Sequence, residues 1–191
     1  DLVFCALASR VVIGEEIDRN RINAIQTPAG STALRVLYDL VSEISPNSTI
    51  WLPSPTWDNH PPTIKAGGLR SDYYRYFNPK TQNIDFDLTL KDLSNIPAGD
   101  VVLMHGCCHN PTGANFSNEQ WDIISELALK VGFLPLVDIA YQGFGAGLAE
   151  DAYGVRKLLS ALPELLIASS SSKNFEIYRD RAGNAITMSK N

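Results

Sequence analysis

The sequence predicts a three-layer α/β/α sandwich built around a mainly parallel β-sheet. Short apolar runs alternate with longer amphipathic runs, which is typical of consecutive βα units. The short runs are apolar almost throughout, without a regular polar alternation, and this favours strands covered by helices on both faces. No repeat, low-complexity tract or linker interrupts the pattern, so residues 1–191 are expected to form one domain.

Six apolar segments are predicted as strands. The strong candidates cover residues 49–53, 101–106, 134–139 and 165–170, and the weaker candidates cover 71–76 and 184–189. In an open sheet of this kind, ligands bind beyond the carboxyl ends of the strands. The segments that follow the strands are therefore the places to search for functional side chains.

Three amphipathic segments are predicted as helices, at residues 31–44, 117–131 and 152–162. The second begins with Ser117 and Gln120, whose spacing is that of a capping box. A helical period places apolar side chains on one face. The residues predicted to be buried by the first two helices are Leu34, Leu37, Val41, Ile44, Trp121, Ile124 and Leu127.

Composition argues against several classes of protein. A hydrophobic content of 45% and a charged content of 19% describe a chain that forms a core. A net charge of −5 without a basic run argues against a nucleic-acid partner. No apolar stretch reaches the roughly 18 residues that a membrane helix needs, and the N-terminal segment lacks the pattern of a signal peptide.

The cysteines indicate a reducing compartment. There are three, of which Cys107 and Cys108 are adjacent, and this is not a secreted disulfide framework. We therefore expect a cytoplasmic protein, with an organelle as the alternative. The chain begins without methionine and stops at "MSKN", so we also expect a piece of a longer polypeptide.

The segment HGCCHNPTG, residues 105–113, holds two histidines and two cysteines within five positions. Such residues are typical metal ligands, but structural zinc sites separate paired cysteines by two to four residues. Neighbours on an extended chain also point to opposite faces. No metal is therefore predicted, and the Asn-Pro and Thr-Gly pairs are instead expected to fix the Asn110 amide in a turn.

Ser170 and Lys173 have the S-x-x-K spacing of serine β-lactamases. The other two elements of those enzymes, S-D-N and K-T-G, are absent from the sequence, and Ser170 ends a predicted strand instead of beginning a helix. Lys173 is left with two interpretations, a solvated surface charge or an amine poised for chemistry.

Other segments show parts of one possible site. The stretch QTPAGSTALR, residues 26–35, is either an ordinary helix start or a phosphate site at a helix N-terminus. Asp138 ends a strand, where it either caps the next loop or faces a cationic ring nitrogen. Together with Trp57, Lys173 and Arg181, these are the groups that a pyridoxal phosphate site requires.

The chain closely resembles the class I aminotransferases of pyridoxal-phosphate fold type I, in the aspartate and aromatic branch. The matching stretches run in family order over residues 26–183, and two of them, HGCCHNPTG and D-x-AYQGFG, are highly specific. They are QTPAGSTALR, PSPTWDNH, HGCCHNPTGANF, DIAYQGFGAGLAEDA and SSSSKNFEIYRDRAG. The resemblance implies the cofactor-binding large domain of such an enzyme, truncated at both ends, with the small domain largely absent.

The resemblance also implies a role for each matched residue. Lys173 would form the Schiff base with the cofactor and shuttle a proton, Asp138 would keep the pyridine nitrogen protonated, and Tyr141 would bind the 3-oxygen. Trp57 and Asn110 would contact both cofactor and substrate. The phosphate would be held by Gly30, Ser31, Ser170 and Arg181, and Asp138 would be supported from behind by His60 and His105.

The implied function is transamination between an L-amino acid, aspartate or aromatic, and a 2-oxo acid. The cycle would be ping-pong through pyridoxamine phosphate, in a homodimer. The arginine for the substrate α-carboxylate would lie beyond residue 191, and a tyrosine for the neighbouring subunit would precede residue 1. One alternative is a non-catalytic fragment that lacks the substrate-binding arginines but still binds pyridoxal phosphate. The other is a structural or interaction remnant that no longer binds the cofactor.

Three positions depart from the family pattern. Ala29 stands where Gly or Ser is usual, Thr32 where Gly is usual, and Glu176 where Gly is strongly favoured. A glycine preference often indicates a positive φ or close packing, so Glu176 is expected to be strained or crowded. We expect it to weaken the affinity for the cofactor.

Overall fold

The structure, a computed structural model, describes residues 2–15 and 19–190. Its strands are β1 (Ile22–Pro28), β2 (Thr49–Ser54), β3 (Arg70–Arg75), β4 (Phe77–Asn78), β5 (Asn83–Ile84), β6 (Val101–His105), β7 (Leu134–Ile139), β8 (Leu165–Ser170) and β9 (Ala182–Met188). Its α-helices are α1 (Leu2–Ile13), α2 (Ala29–Ile44), α3 (His60–Ala66), α4 (Phe86–Leu93), α5 (Asn118–Val131) and α6 (Tyr153–Ala161). Single 3-10 turns cover Arg19–Arg21, Glu150–Ala152 and Tyr178–Asp180.

Seven strands form one sheet in the order β1-β9-β8-β7-β6-β2-β3, and β4 and β5 pair as a separate hairpin. The neighbours β3, β2, β6, β7 and β8 run parallel, while β9 is antiparallel to both β8 and β1. All five parallel strands therefore end at the same edge of the sheet. Strands β7 and β8 have the predicted bounds, and the other four predicted strands are found within two residues of theirs.

Two hydrophobic cores lie on opposite faces of the sheet, which confirms the predicted three layers. Helix α2 packs on β7, β8 and β9 and, with α3, forms one core around Leu34, Leu37 and Leu52. The other core is formed under α1, α4, α5 and α6 and includes Trp121 and Ile124. Buried strands covered on both sides have no polar face, which explains their continuous apolar sequences.

The capping box of α5 is confirmed. The Ser117 hydroxyl accepts from the Gln120 N–H at 3.2 Å, and the Gln120 side-chain oxygen accepts from the Ser117 N–H at 2.9 Å. The helix ends at Val131 and is capped by Gly132, whose φ of +85° suits only glycine without strain. Within α5, Trp121 and Ile124 are buried as predicted, whereas Leu127 is half-buried.

One predicted core residue is wrong. Ile44 is the last residue of α2, and its side chain is 66% exposed. The other three apolar residues of that stripe, Leu34, Leu37 and Val41, are buried. The helical period continues through Ile44, but the chain leaves the helix at Ser45, so the final turn faces solvent instead of the sheet.

Several elements were missed because their sequences give weak signals. Helix α3 has seven residues and begins His60-Pro61-Pro62, with prolines in its first turn. Helix α1 shows apolar residues all round, so that Leu2 and Leu7 are exposed. Edge strand β1 alternates poorly. Within the described part of the chain, no helix combines the length and apolar character that crossing a membrane requires.

Candidate active site

The carboxyl ends of the parallel strands open into a cleft of about 390 Å³. Of the residues predicted for the site, ten line this cleft: Gly30, Ser31, Trp57, His105, Asn110, Asp138, Tyr141, Ser170, Lys173 and Arg181. The eleventh, His60, is fully buried directly behind Asp138. Residues separated by up to 151 positions in the sequence are thus brought to one edge of the sheet.

Asp138 ends a chain of hydrogen bonds that runs beneath the cleft. Its Oδ2 lies 3.3 Å from His60 Nε2, and His60 Nδ1 lies 2.7 Å from the Thr56 hydroxyl. Thr56 Oγ1 lies 3.4 Å from His105 Nε2, and His105 Nδ1 accepts from the Asn110 N–H at 3.2 Å. The carboxylate is 9% exposed, so these partners hold it in place at the cleft wall.

The backbone N–H of Asn110 fixes the direction of this chain, because a backbone N–H can only donate. His105 Nδ1 is therefore the acceptor, and the neutral ring carries its proton on Nε2, which donates to Thr56. The Thr56 hydroxyl then donates to His60 Nδ1, and His60 Nε2–H donates to Asp138. This assignment leaves the Asp138 carboxyl oxygen as the acceptor at the end of the chain.

Burial favours the neutral form of two histidines here, His105 and His109. Burial lowers the pKa of His105 well below its usual range, and the nearby His109 and His60 lower it further. Burial also lowers the pKa of His109 to about 4. His109 is stacked between two rings, with centroids 4.3 Å from Tyr76 and 4.3 Å from His105. The aromatic stack packs the site from below and keeps water from the histidines.

Lys173 reaches into the cleft from the loop after β8. Its Nζ lies 4.8 Å from the centre of the Tyr141 ring, close enough for a cation–π contact. Tyr141 follows β7, three residues after Asp138. Because β7 and β8 are neighbours in the sheet, the Asp138 carboxyl group and the Lys173 amine enter the cleft from adjacent strands. Ser170 closes β8 and does not open a helix, as expected, which disfavours a serine-hydrolase interpretation.

Anion-binding groups gather at the other end of the cleft. Helix α2 begins at Ala29 without a side-chain cap. The Ala29 N–H donates to the Arg181 carbonyl at 2.7 Å, and no side chain caps the N–H groups that follow it in the first turn. Arg181 Nη2 donates to Ser31 Oγ at 3.2 Å, and its guanidinium lies 5.1 Å from the Tyr178 ring centre. Ser170 Oγ accepts from the Ser172 N–H at 3.3 Å.

Two glycines let the backbones approach closely at this end. A Cβ on Gly30 would stand 3.0 Å from the Ser170 Cβ. A Cβ on Gly183 would lie 2.5 Å from the Ala29 carbonyl carbon and 2.7 Å from the Ser169 oxygen. Because these are mostly backbone atoms, they cannot move aside, and the start of α2 is fixed against β8 and β9.

Two of the three departures from the family pattern have left-handed backbones. Ala29 has φ +64° and Glu176 has φ +56°, whereas Thr32 lies inside the regular first turn of α2. Glu176 is exposed, and its N–H donates to the Lys173 carbonyl at 3.1 Å. The expected strain at Glu176 thus has a backbone cause, and this residue belongs to the turn that carries Lys173.

Sequence reasoning missed several residues at this site. Thr56 links the two histidines, and Asn59, Ser172 and Tyr178 line the cleft. Thr56 and Asn59 lie within PSPTWDNH, which follows a predicted strand, so their position was available from the sequence. Their contacts could not be predicted from the sequence, because they depend on how that loop folds over β6.

Comparison with known proteins shows which family the chain matches. The family model described as "Aminotransferase class I and II" matches residues 4–190. The tyrosine aminotransferase of Rhizobium meliloti is 46% identical over 183 residues, which are 96% of this chain and 47% of that protein. The aspartate aminotransferase of Salmonella typhi is 44% identical over 167 residues, 87% of this chain and 42% of that protein.

Solved structures of similar proteins have the same fold. An aromatic amino acid aminotransferase with 3-indolepropionic acid gives a TM-score of 0.98 at 41% identity, covering 100% of this chain and 49% of that one. The aromatic-amino-acid aminotransferase from Burkholderia pseudomallei, covalently bound to pyridoxal phosphate, gives 0.96 at 30% identity, with 100% and 49% covered. The chain thus spans about half the length of these relatives, and it belongs to the class I and II aminotransferase family.

Proposed function

We propose that this chain is the cofactor-binding large domain of an aminotransferase that uses pyridoxal 5′-phosphate. It would exchange an amino group between an L-amino acid and a 2-oxo acid, in a ping-pong cycle in which the two substrates bind in turn. One observation carries the proposal: a single cleft joins an amine, a fixed carboxylate and a cluster of anion-binding donors.

The groups of the cleft suit this cofactor. The open start of α2, the hydroxyls of Ser31 and Ser170, and the guanidinium of Arg181 are the donors that a phosphate requires. Gly30 adds no side chain to this end, and a Cβ there would already crowd Ser170. The cofactor, when bound, supplies an aldehyde that reacts with amines and a ring that accepts electrons from the substrate α-carbon.

Asp138 would hold a proton on the ring nitrogen. The hydrogen-bond chain through His60 and Thr56 would hold the carboxyl group in place. A buried anion placed where positive charge must be stabilised acts without reorganisation, and such effects are among the largest in catalysis. His60 would thus orient Asp138 from behind, and His105, which lines the cleft, would support it through Thr56.

Lys173 would hold the cofactor and, once released by the incoming amino group, move a proton at the substrate α-carbon. Its contact with the Tyr141 ring fixes where the amine lies. Tyr141 would donate to the ring oxygen, and Trp57 would stack on the ring and exclude water. Asn110, which follows β6, would bind the substrate carboxylate from the opposite wall.

The substrate class rests on the relatives, whose names cover tyrosine, aspartate and aromatic amino acids. Both an acidic and an aromatic substrate fall within the proposal. We also propose a homodimer and a cytoplasmic location. Apolar side chains of α1 that are exposed, Leu2 at 87%, Val3 at 65% and Leu7 at 55%, support an interface on that face.

The proposal is tested with pyridoxal phosphate itself. The folded protein is mixed with the cofactor, its absorption is recorded, and borohydride reduction is followed by peptide mapping. We expect a band at the violet edge of the visible and an adduct on Lys173. The variant Lys173→Ala should lose both, whereas Lys65→Ala, an exposed lysine on α3, should keep them.

Folded protein without a band, or label spread over surface lysines, would contradict the cofactor site. Turnover is tested separately, in a polypeptide that contains residues 1–191 together with the length present in the relatives. Binding without turnover in that polypeptide would reduce the proposal to its non-catalytic alternative.

A further inference from the structure

The adjacent cysteines Cys107 and Cys108 have no part in the proposed reaction. Neighbours on an extended strand point to opposite faces, which is why the sequence argued against a metal here. The structure overturns that argument, because Cys108 has φ +46°, in the left-handed region. The chain turns between the two residues, and both thiol sulfurs lie within 4.8 Å of each other and of an Asp151 carboxylate oxygen.

These distances are close to those of a metal site. Two sulfurs on a tetrahedral zinc ion, each at about 2.3 Å, lie roughly 3.8 Å apart. The three atoms already lie within 4.8 Å of one another, so small movements of the side chains would give the separations of a tetrahedral site.

Asp151 is fixed in a way that suits a ligand. Its Oδ2 accepts from the N–H groups of Gly143 at 2.8 Å and Gly145 at 2.9 Å, and its Oδ1 accepts from Ala146 at 2.9 Å. A carboxylate has about four lone-pair positions, so one on Oδ1 is left. The side chain is buried, and supporting donors of this kind hold ligating carboxylates in place.

One sulfur of the pair, that of Cys107, borders the cleft. Cys107 lines it together with Tyr141 and Asn110, and Cys108 is half-buried. Cys108 Sγ also lies 3.9 Å from the Tyr141 carbonyl oxygen. Cys107 is therefore the ligand that an ion from the cleft would reach first, and Cys108 and Asp151 lie directly beside it. The cleft offers room for a fourth ligand such as water on the Cys107 side.

We propose that Cys107, Cys108 and Asp151 bind one thiophilic divalent cation of the zinc and cadmium type beside the cleft. Two sulfur ligands select such ions over magnesium or calcium, which prefer oxygen. The bound ion would link the residues that follow β6 to the loop that follows β7. It would hold Tyr141 and the 143–146 loop together from behind the cleft.

The test measures metal binding without cofactor or substrate, so its outcome is independent of the proposed transamination. The full polypeptide that contains residues 1–191 is titrated with Zn²⁺ against a chromogenic chelator, and with Cd²⁺ while the sulfur-to-metal absorption in the ultraviolet is recorded. We expect one ion per chain. Cys107→Ser and Cys108→Ser should each weaken Zn²⁺ binding by about a hundredfold or more, and each should remove the Cd²⁺ absorption.

The matched control is Cys5→Ser, which changes a buried cysteine on α1 and should leave both titrations unchanged. Circular dichroism confirms that each variant is folded. If a variant fails to fold, protection replaces it: Zn²⁺ should slow thiol labelling of Cys107 and Cys108 in the unaltered protein but not of Cys5. No bound ion, unchanged binding in either serine variant, or equal protection of Cys5 would overturn the proposal.

Discussion

The two walls of the cleft are built differently. The Asp138 wall consists of strand ends and buried rings joined by hydrogen bonds from Asp138 through His60 and Thr56 to His105. The Lys173 wall is a loop in which Glu176 has a left-handed backbone. Within the described residues, that loop also contains buried side-chain oxygens without a hydrogen-bond partner, on Ser172 and Asn174.

The two walls therefore differ in what holds their residues in place. The hydrogen-bond chain of the Asp138 wall has a donor and an acceptor at every link, whereas Nε2 of the stacked His109 has no partner among the described residues. The Lys173 wall adopts a backbone that non-glycine residues reach only at a cost. A buried, fully paired network is expected to lose much free energy when one link is removed, and a strained loop is expected to gain a little when the strain is removed.

The largest expected effect concerns the pH dependence of the Asp138 wall. Burial lowers the pKa of His109 to about 4 in the folded protein, against about 6.5 in an unfolded chain. Between these values only the unfolded chain binds the proton, so the free energy of unfolding falls as the pH falls from about 6.5 to about 4. The loss is on the order of 3 kcal/mol.

Urea unfolding at pH 7 and pH 4.5 measures this loss, with His109→Gln as the comparison. The variant should lose clearly less stability between the two pH values, because its remaining histidines and carboxylates titrate as before. An equal pH dependence in both proteins would show that His109 is not held neutral by the wall.

The next effect tests the hydrogen-bond chain itself. Thr56→Val keeps the size of the side chain but leaves His60 and His105 without their shared partner. Buried polar atoms without partners cost free energy, so we expect a destabilisation of about 2 kcal/mol. The control is Thr63→Val on α3, where a partly exposed hydroxyl donates to the Asn59 carbonyl and water can replace it.

Thermal or urea unfolding measures the stability lost by each of the two variants. A loss for Thr56→Val that does not exceed the loss for Thr63→Val would mean that the chain of hydrogen bonds does not stabilise this wall.

The smallest effect lies in the Lys173 wall and has the opposite sign. Glu176→Gly should stabilise the protein by about 1 kcal/mol or less, because the relief of the left-handed backbone is partly offset by the entropy of glycine. We also expect tighter binding of pyridoxal phosphate, measured by its dissociation constant. The matched variant is Gln82→Gly, which has a similar φ of +55° on an exposed turn outside the cleft.

The Gln82 variant also loses the hydrogen bond from its side-chain amide to the Pro79 carbonyl, so it should gain less stability, without a change in the dissociation constant. An unchanged constant for Glu176→Gly would separate the strain of this turn from cofactor binding, and the prediction made from the family pattern would be wrong.

Much of the fold could be predicted because its signals are local. Strands β7 and β8 were predicted with their observed bounds, since each is a continuous apolar run that ends in a polar residue. The start of α5 was predicted from Ser117 and Gln120, since a capping box acts within one turn. Helix α3 was missed because two prolines hide its short pattern.

The sequence by itself determined which residues follow the strand ends, and through the motifs it indicated the family. Only the tertiary structure decided how those residues meet. Ile44 continues the helical period of the buried residues of α2, but its side chain is exposed because the final turn of that helix faces solvent instead of the sheet. Cys107 and Cys108 point to the same side because one backbone angle is positive, and Thr56 joins two histidines because its loop folds over β6. Such contacts depend on backbone geometry and on residues far apart in the chain, which neither period nor spacing records.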